Sequence, residues 1–434
     1  MKTRLLPIFL LIALSACHVK AANPPETPAS EETAIEAPEE VLTGLEVLVR
    51  DGFAPLEGKR VGLVTNPSGV DRYLRSTIDI LHAAPNVNLV ALFGPEHGVR
   101  GDVYAGGKVE SGTDETTGLP VHSLYGSTRK PTPAMLKDID VMVYDIQDVG
   151  TRSYTFISTL GLVMRACAEQ NIEVLVLDRP NPLGGLKVEG CLVEDGFHSF
   201  VSMFKIPYVY GLTVGELANL INEEGLNCGV LGNEPPLKCK LSVVKMEGWH
   251  RDMLYRDTRL PWILPSPNIP NMESAIAYPS AGITGEFNNF LHIGIGYTLP
   301  FETFAAEWID ADALKAKLES YQLPGTVFRT IHYKPTAGSC KDKLLHGVQF
   351  YFPEYEKAEI TLTQFYVMQA VNELYPDHNP FPAQTRTRML DIVCGTDYVR
   401  VHFGKRLRVE DIASYWRKDV EDFKALSRNY YLYF

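Results

Sequence analysis

Leu89-Val90-Ala91-Leu92-Phe93-Gly94-Pro95-Glu96-His97-Gly98-Val99-Arg100-Gly101-Asp102 carries an apolar run, readable as a buried strand, into a Gly-Pro break. Glu96, His97, Arg100 and Asp102 follow within a few residues, punctuated by glycines. An open α/β sheet delivers polar groups in this way to the crevice at the carboxyl ends of its strands. The same grammar recurs along the chain. Arg60–Thr65 ends in Asn66-Pro67-Ser68-Gly69, Asp140–Tyr144 ends in Asp145-Ile146-Gln147-Asp148, and Glu173–Leu177 ends in Asp178-Arg179-Pro180-Asn181. Val121–Tyr125 is a further short strand, and helical patterns near 74–81 and 153–170 separate the runs.

Near-continuous apolar strands are buried on both faces, as in parallel sheets covered by helices. The reading is an α/β fold: a Rossmann-like parallel-sheet domain over residues 44–265, then a smaller α+β domain over 266–434, with the site in the cleft between them. Helices are expected near 311–321, 361–374 and 408–425. Four polar strand ends are expected to converge on one crevice. Thr213 and Glu216 have the spacing of a capping box, which gives Glu216 a structural role. Trp262, in the proline-rich crossing Pro261–Pro270, is a core residue or a stacking platform for a sugar.

The first strand is followed by neither a GxGxxG fingerprint nor a P-loop, and no CxxC pair or histidine-rich tract occurs. No cofactor or metal is therefore expected. The formal net charge is −12 with the basic residues dispersed, which argues against nucleic acid as a partner. The chain opens with Lys2 and Arg4, an apolar run from Leu5 to Leu14, and Leu14-Ser15-Ala16-Cys17. That is the pattern of an export signal over residues 1–17, with Cys17 as the lipidation site of a bacterial lipobox. Residues 18–43 hold four prolines and six glutamates, the composition of an extended tether. The expected location is outside the cytoplasmic membrane, held there only by an N-terminal lipid. Of the six other cysteines, Cys228 and Cys239 flank a Gly/Asn/Pro-rich loop and are the candidate disulfide pair.

Several stretches are long enough to carry a family resemblance. Leu63–Val70, Phe93–Gly98, Asp145–Thr155, Asp178–Gly185 and Pro265–Pro270 resemble the signatures of the YbbC/NamZ-like proteins, over about residues 44–434. The resemblance implies an exo-β-N-acetylmuramidase that releases N-acetylmuramic acid from the non-reducing ends of peptidoglycan fragments. One segment departs from the family pattern. Many members carry Glu-Gly-Thr-Asn, then Gly-Arg-Gly-Thr, before Pro-Phe-Glu. Here Gly285-Glu286-Phe287-Asn288-Asn289 is followed by Gly294-Ile295-Gly296-Tyr297-Thr298-Leu299-Pro300-Phe301-Glu302, without the arginine.

Glycoside hydrolysis needs a carboxylic acid to protonate the leaving oxygen and a second group as base or nucleophile. The resemblance makes Glu96 the acid. His97 either binds the sugar, tunes Glu96 or shapes the loop. Glu286 is the first candidate for the second group, ahead of Asp145 and Asp148, while a 2-acetamido sugar can also supply its own carbonyl oxygen. Arg100, Asp145 and Asp148 are candidate substrate-binding residues, and Arg152 and Arg179 are candidates for binding a substrate carboxylate; Arg152 and Arg179 also fit ion pairs with Asp145 or Asp178. Asn66, Ser68, Asn181 and Asn268 fit sugar hydroxyls, and the asparagines equally fit turns. Two alternatives stay open: a glycosidase of this fold acting on another sugar, and a lipoprotein that binds wall glycans without cleaving them.

Overall fold

The computed structural model describes residues 40–101, 107, 111–287, 290–381 and 387–434. Cys17, Asp102, Asn288, Asn289 and nearly all of the expected tether lie outside the described residues.

Seven strands form the larger sheet: β1 (Arg60–Thr65), β2 (Asn88–Gly94), β3 (Gly112–Thr113), β4 (Pro120–Ser123), β5 (Val141–Asp145), β6 (Glu173–Leu177) and β7 (Lys240–Val244). Their order is β3-β4-β2-β1-β5-β6-β7, and every neighbouring pair is parallel except β3 with β4. The chain starts at the centre, winds outward through β2 and β4, then crosses back to β5 and winds out the other way. This is the Rossmann order, with its reversal between β1 and β5.

The continuous apolar runs have a direct cause. Val61, Leu63, Val141, Val143, Leu175 and Leu177 pack into a core on one face, together with Leu45 and Leu48 of the helix Gly44–Arg50 and Ile78 and Leu81 of the helix Thr77–Ala83. Val64, Met142, Tyr144, Val174 and Val176 pack on the other, against the helices Phe156–Glu169 and Val214–Glu223. Both side-chain sets of each central strand are therefore withdrawn from water. Thr213 caps the second of those helices through a capping box with Glu216, as its spacing predicts.

The smaller sheet is antiparallel, with β8 (Thr303–Ala306), β9 (Val327–Tyr333) and β10 (Leu345–Tyr351) in the order β8-β10-β9. Phe304, Phe328, Val348 and Phe350 from this sheet share a core with Leu314 and Leu318 of the helix Ala311–Glu319 and Val367 and Val371 of the helix Thr363–Leu374. The last segment of the chain then returns to the larger sheet. Val420 and Phe423 enter its core, and the Tyr433 hydroxyl donates to Asp178 at the end of β6 at 2.6 Å.

Two expectations change here. The folded body takes in Val41–Thr43: Val41 is buried against Met246, Trp249 and Tyr433, Leu42 pairs with Glu247, and Thr43 caps the first helix. Apolar burial of Val41 is what ends the tether earlier than composition suggests. Cys228 and Cys239 are both free thiols, and the Cys239 thiol lies 3.6 Å from the Asn222 side-chain oxygen, inside the core.

Candidate active site

The strand ends do not share one crevice. At the β1/β5 reversal, where a dinucleotide fold opens its binding cleft, the polar residues bind one another. Arg179 forms a two-point ion pair with Asp145 (2.5 and 2.9 Å), with both side chains almost fully buried. Asp145 also accepts from the Thr77 hydroxyl. The Asn66 side-chain oxygen accepts from the Ser68 amide and hydroxyl, and the Gln147 amide donates to Ser68. Gly69 permits this closure: a Cβ there would sit 2.2 Å from the Thr65 hydroxyl. The space left between Ser68, Gln147 and Arg179 is about 10 Å³, less than one water needs.

Asp178 is likewise occupied, accepting from Thr213, Gly215 and Tyr433. Asp148 accepts from the Tyr210 hydroxyl and the Gly150 amide in a closed void, where burial raises its pKa to about 6. Asn181 holds a turn, accepting from Leu183 and donating to the Leu212 carbonyl. Arg152, wholly buried, donates to the carbonyls of Cys191, Ile206, Val393 and Cys394. It is a strut between distant segments, neither a surface ligand nor half of an ion pair with Asp145 or Asp178. Arg100 is taken up by Asp79 and Asp114. Trp262 packs edge-on to Tyr255 and donates to the Ile269 carbonyl, the core alternative.

What remains open to a ligand is the end of β2. The chain leaves Gly94 in a tight turn closed by the Gly98 amide on the Pro95 carbonyl at 3.0 Å. His97 and Gly98 both take positive φ, +76° and +74°. A histidine in this region is strained, and such strain persists where the surroundings over-determine it, as at ligand sites. The turn leaves His97 buried and Glu96 half-buried at the edge of a cavity of about 170 Å³.

Glu96, His97, Ser153, Thr155, Ser266 and Asn268 give this cavity polar groups, and Phe156, Ile269, Tyr278 and Phe301 give it an apolar side. Burial, then the charge and hydrogen bond of Glu96, raise the Tyr125 phenol to about 12, so Tyr125 donates to the Glu96 carboxylate. Tyr278, hydrogen-bonded with Ser153 at 3.1 Å, is raised to about 12, chiefly by burial, with both Glu286 and Glu96 contributing. Asp148 contributes to the same rise, so the phenol lies in the field of three candidate carboxylates. Of the residues expected from sequence, Glu96, His97 and Asn268 line the cavity together; Glu286 is not among its lining residues. Ser153 and Phe301 fall inside stretches that carry the family resemblance, whereas Tyr125 and Tyr278 carry no distinguishing pattern of their own.

Two larger hollows have different chemistry. In the first, about 610 Å³, the charges neutralise one another, as in Arg417 with Glu359 and Lys424 with Glu421. The second, about 410 Å³, is mostly apolar, with Glu302 already bonded to Ser274 and Gln349.

A Rossmann-ordered sheet with a strand-end carboxylate on a small mixed cavity has the layout of an α/β protein suited to acid–base chemistry, and comparison with known proteins gives its class as a glycosidase. The chain belongs to the NamZ exo-β-N-acetylmuramidase family: residues 61–273 match the family's N-terminal model and 276–433 its C-terminal model. It is 42% identical over 407 residues to the peptidoglycan β-N-acetylmuramidase NamZ of Bacillus subtilis (strain 168), covering 94% of each chain. Two crystal structures of DUF1343 family proteins from Bacteroides fragilis NCTC 9343 have the same architecture. One is 55% identical with a TM-score of 0.85 and the other 31% with 0.73; each match covers 91% of this chain and 99% of the other.

Proposed function

We propose that the protein is an exo-acting glycosidase that releases N-acetylmuramic acid from the non-reducing ends of peptidoglycan fragments, with Glu96 as the general acid. The observation that carries this reading is the 170 Å³ cavity at Glu96. A void of roughly 150 Å³ is filled by a ring the size of benzene, so the cavity has no room for a run of sugar rings, in keeping with an exo-acting enzyme. The name of the Bacillus subtilis relative supplies the sugar.

In the reaction, the Glu96 proton passes to the glycosidic oxygen as the bond to the anomeric carbon breaks. Tyr125 holds the carboxyl in place. Glu286 is the second carboxylate of this reading by its position in the variant Gly285–Glu302 segment; Asp145 is bound to Arg179 and Asp148 to Tyr210. If Glu286 activates water, the product is inverted; participation of the substrate's acetamido carbonyl retains configuration. Proton NMR of the first-formed sugar separates these routes.

The test is release of the chromophore from a chromogenic β-N-acetylmuramic acid glycoside. Glu96→Gln is expected to lose roughly 10²–10⁴-fold in turnover with an unchanged unfolding midpoint. Undiminished turnover removes Glu96 from the mechanism. The missing arginine near Gly294–Tyr297 supports a second reading, hydrolysis of a different 2-acetamido sugar, and a panel of aryl glycosides decides between them. The proposal extends to location: the Lys2 to Cys17 pattern supports export and lipid attachment at Cys17. Metabolic labelling with a fatty acid, lost in Cys17→Ala, tests it.

A further inference from the structure

The segment that departs from the family pattern runs into the retained Pro300-Phe301-Glu302, and Phe301 is a wall of the Glu96 cavity. Its backbone is unusual for its side chain. Phe301 has φ +67°, a region that bulky L-residues rarely occupy and glycine or asparagine adopts easily. The conformation is imposed from both sides. The Phe301 amide donates to the Ile293 carbonyl at 2.6 Å, and the Glu302 amide to Leu299 at 3.2 Å. Beyond it, the Glu302 carboxylate accepts from Ser274 at 3.1 Å and Gln349 at 3.2 Å.

This clamp puts the Phe301 ring edge-on to Tyr278, with centroids 4.9 Å apart and planes at 88°. Tyr278 is the phenol on which Glu286, Glu96 and Asp148 all act. Phe301 is also a buried member of the smaller core, where Phe304, Phe328 and Phe350 pack beside it without any strained backbone. Filling a core does not require an aromatic ring at a left-handed position.

We propose that Phe301 determines sugar binding in this cavity, as the apolar wall against which the carbon-bound hydrogens of the terminal sugar pack. A pyranose has polar edges and C–H faces, and the cavity pairs hydrogen-bonding groups such as Asn268 and Ser266 with the aromatic side formed by Phe301 and Tyr278. The inference rests on reading the Glu96 cavity as the sugar site, and the experiment keeps the two apart.

Phe301→Asn removes the ring and keeps a residue that accepts positive φ; Phe301→Leu keeps an apolar side chain and removes only the aromatic face. Both are assayed on the chromogenic β-N-acetylmuramic acid glycoside. Binding of free N-acetylmuramic acid is measured by calorimetry in the Glu96→Gln background. The loss expected from one aromatic contact is a rise of about three- to tenfold in KM and in the dissociation constant, larger in the Asn variant and exceeding any fall in kcat. Unchanged KM and dissociation constant overturn the proposal, even if thermal stability falls, because that is the signature of a packing residue. If Phe301→Asn fails to fold, Phe301→Leu decides by the same criterion. Full turnover by Glu96→Gln rejects the cavity itself and the inference with it. Abolished turnover there, with wild-type KM in the Phe301 variants, rejects only the inference.

Discussion

Arg152→Met tests whether the buried arginine is a strut or a substrate ligand. Its guanidinium donates at 2.8 Å to Cys191, 2.7 Å to Ile206, 3.2 Å to Val393 and 2.8 Å to Cys394, always to a backbone carbonyl. Gly395 completes the cradle, since a Cβ there would stand 2.8 Å from the guanidinium. A buried carbonyl that loses its donor costs about 1–3 kcal/mol, so four cost about 4–12 kcal/mol. Relief from burying an uncompensated charge returns several kcal/mol of this. The expected net loss is about 4 kcal/mol, a large part of the roughly 5–15 kcal/mol that holds a protein folded. Urea unfolding followed by tryptophan fluorescence should show a lower midpoint with little change in slope. The folded fraction should keep its KM for the chromogenic glycoside. An unchanged urea midpoint together with a raised KM would refute the strut and restore Arg152 as a ligand for a substrate carboxylate.

Asp148→Asn concerns a carboxyl whose pKa burial raises from 3.8 to about 6. The folded state binds the proton more tightly than the unfolded, so this contribution is fully present below about pH 4 and is lost as pH rises through about 6. The variant should match wild type near pH 4 and exceed it at pH 8 by up to about 3 kcal/mol; a gap that shrinks with rising pH contradicts the assignment. Gly44→Ala places a methyl 2.4 Å from the Asp178 amide and 2.6 Å from the Val244 carbonyl, forcing the first helix off the sheet. A loss of about 1–3 kcal/mol is expected by thermal melting, and a neutral result would mean that this helix docks elsewhere. Cys228→Ser should leave the melting temperature within about 1 °C of wild type, with or without reductant, because the thiol has no partner sulfur; a reductant-sensitive melt would show a disulfide.

The central strands were legible because burial on both faces leaves an uninterrupted apolar run, as in Val141–Tyr144. β7 escaped notice because Lys240–Val244, at the sheet edge, is only half-buried and includes polar residues. The turn at Glu96 was legible as a motif. The sealing of the β1/β5 reversal was not, since it depends on Arg179 meeting Asp145 across neighbouring strands, and the same residues in an open crevice would read identically. Arg152 was misread for a related reason: its acceptors are carbonyls, which every residue has and no sequence marks. Tyr125, Tyr278 and Phe301 reach Glu96 from three separate segments, so only the folded chain brings them together.

The hydrogen bond from Tyr433 to Asp178 ties the penultimate residue of the chain to the end of a central strand. The larger sheet thus takes closing contacts from a segment that lies, in sequence, beyond the whole of the smaller one. Without that segment the main core has an open flank, while Asp178 keeps its bonds from Thr213 and Gly215.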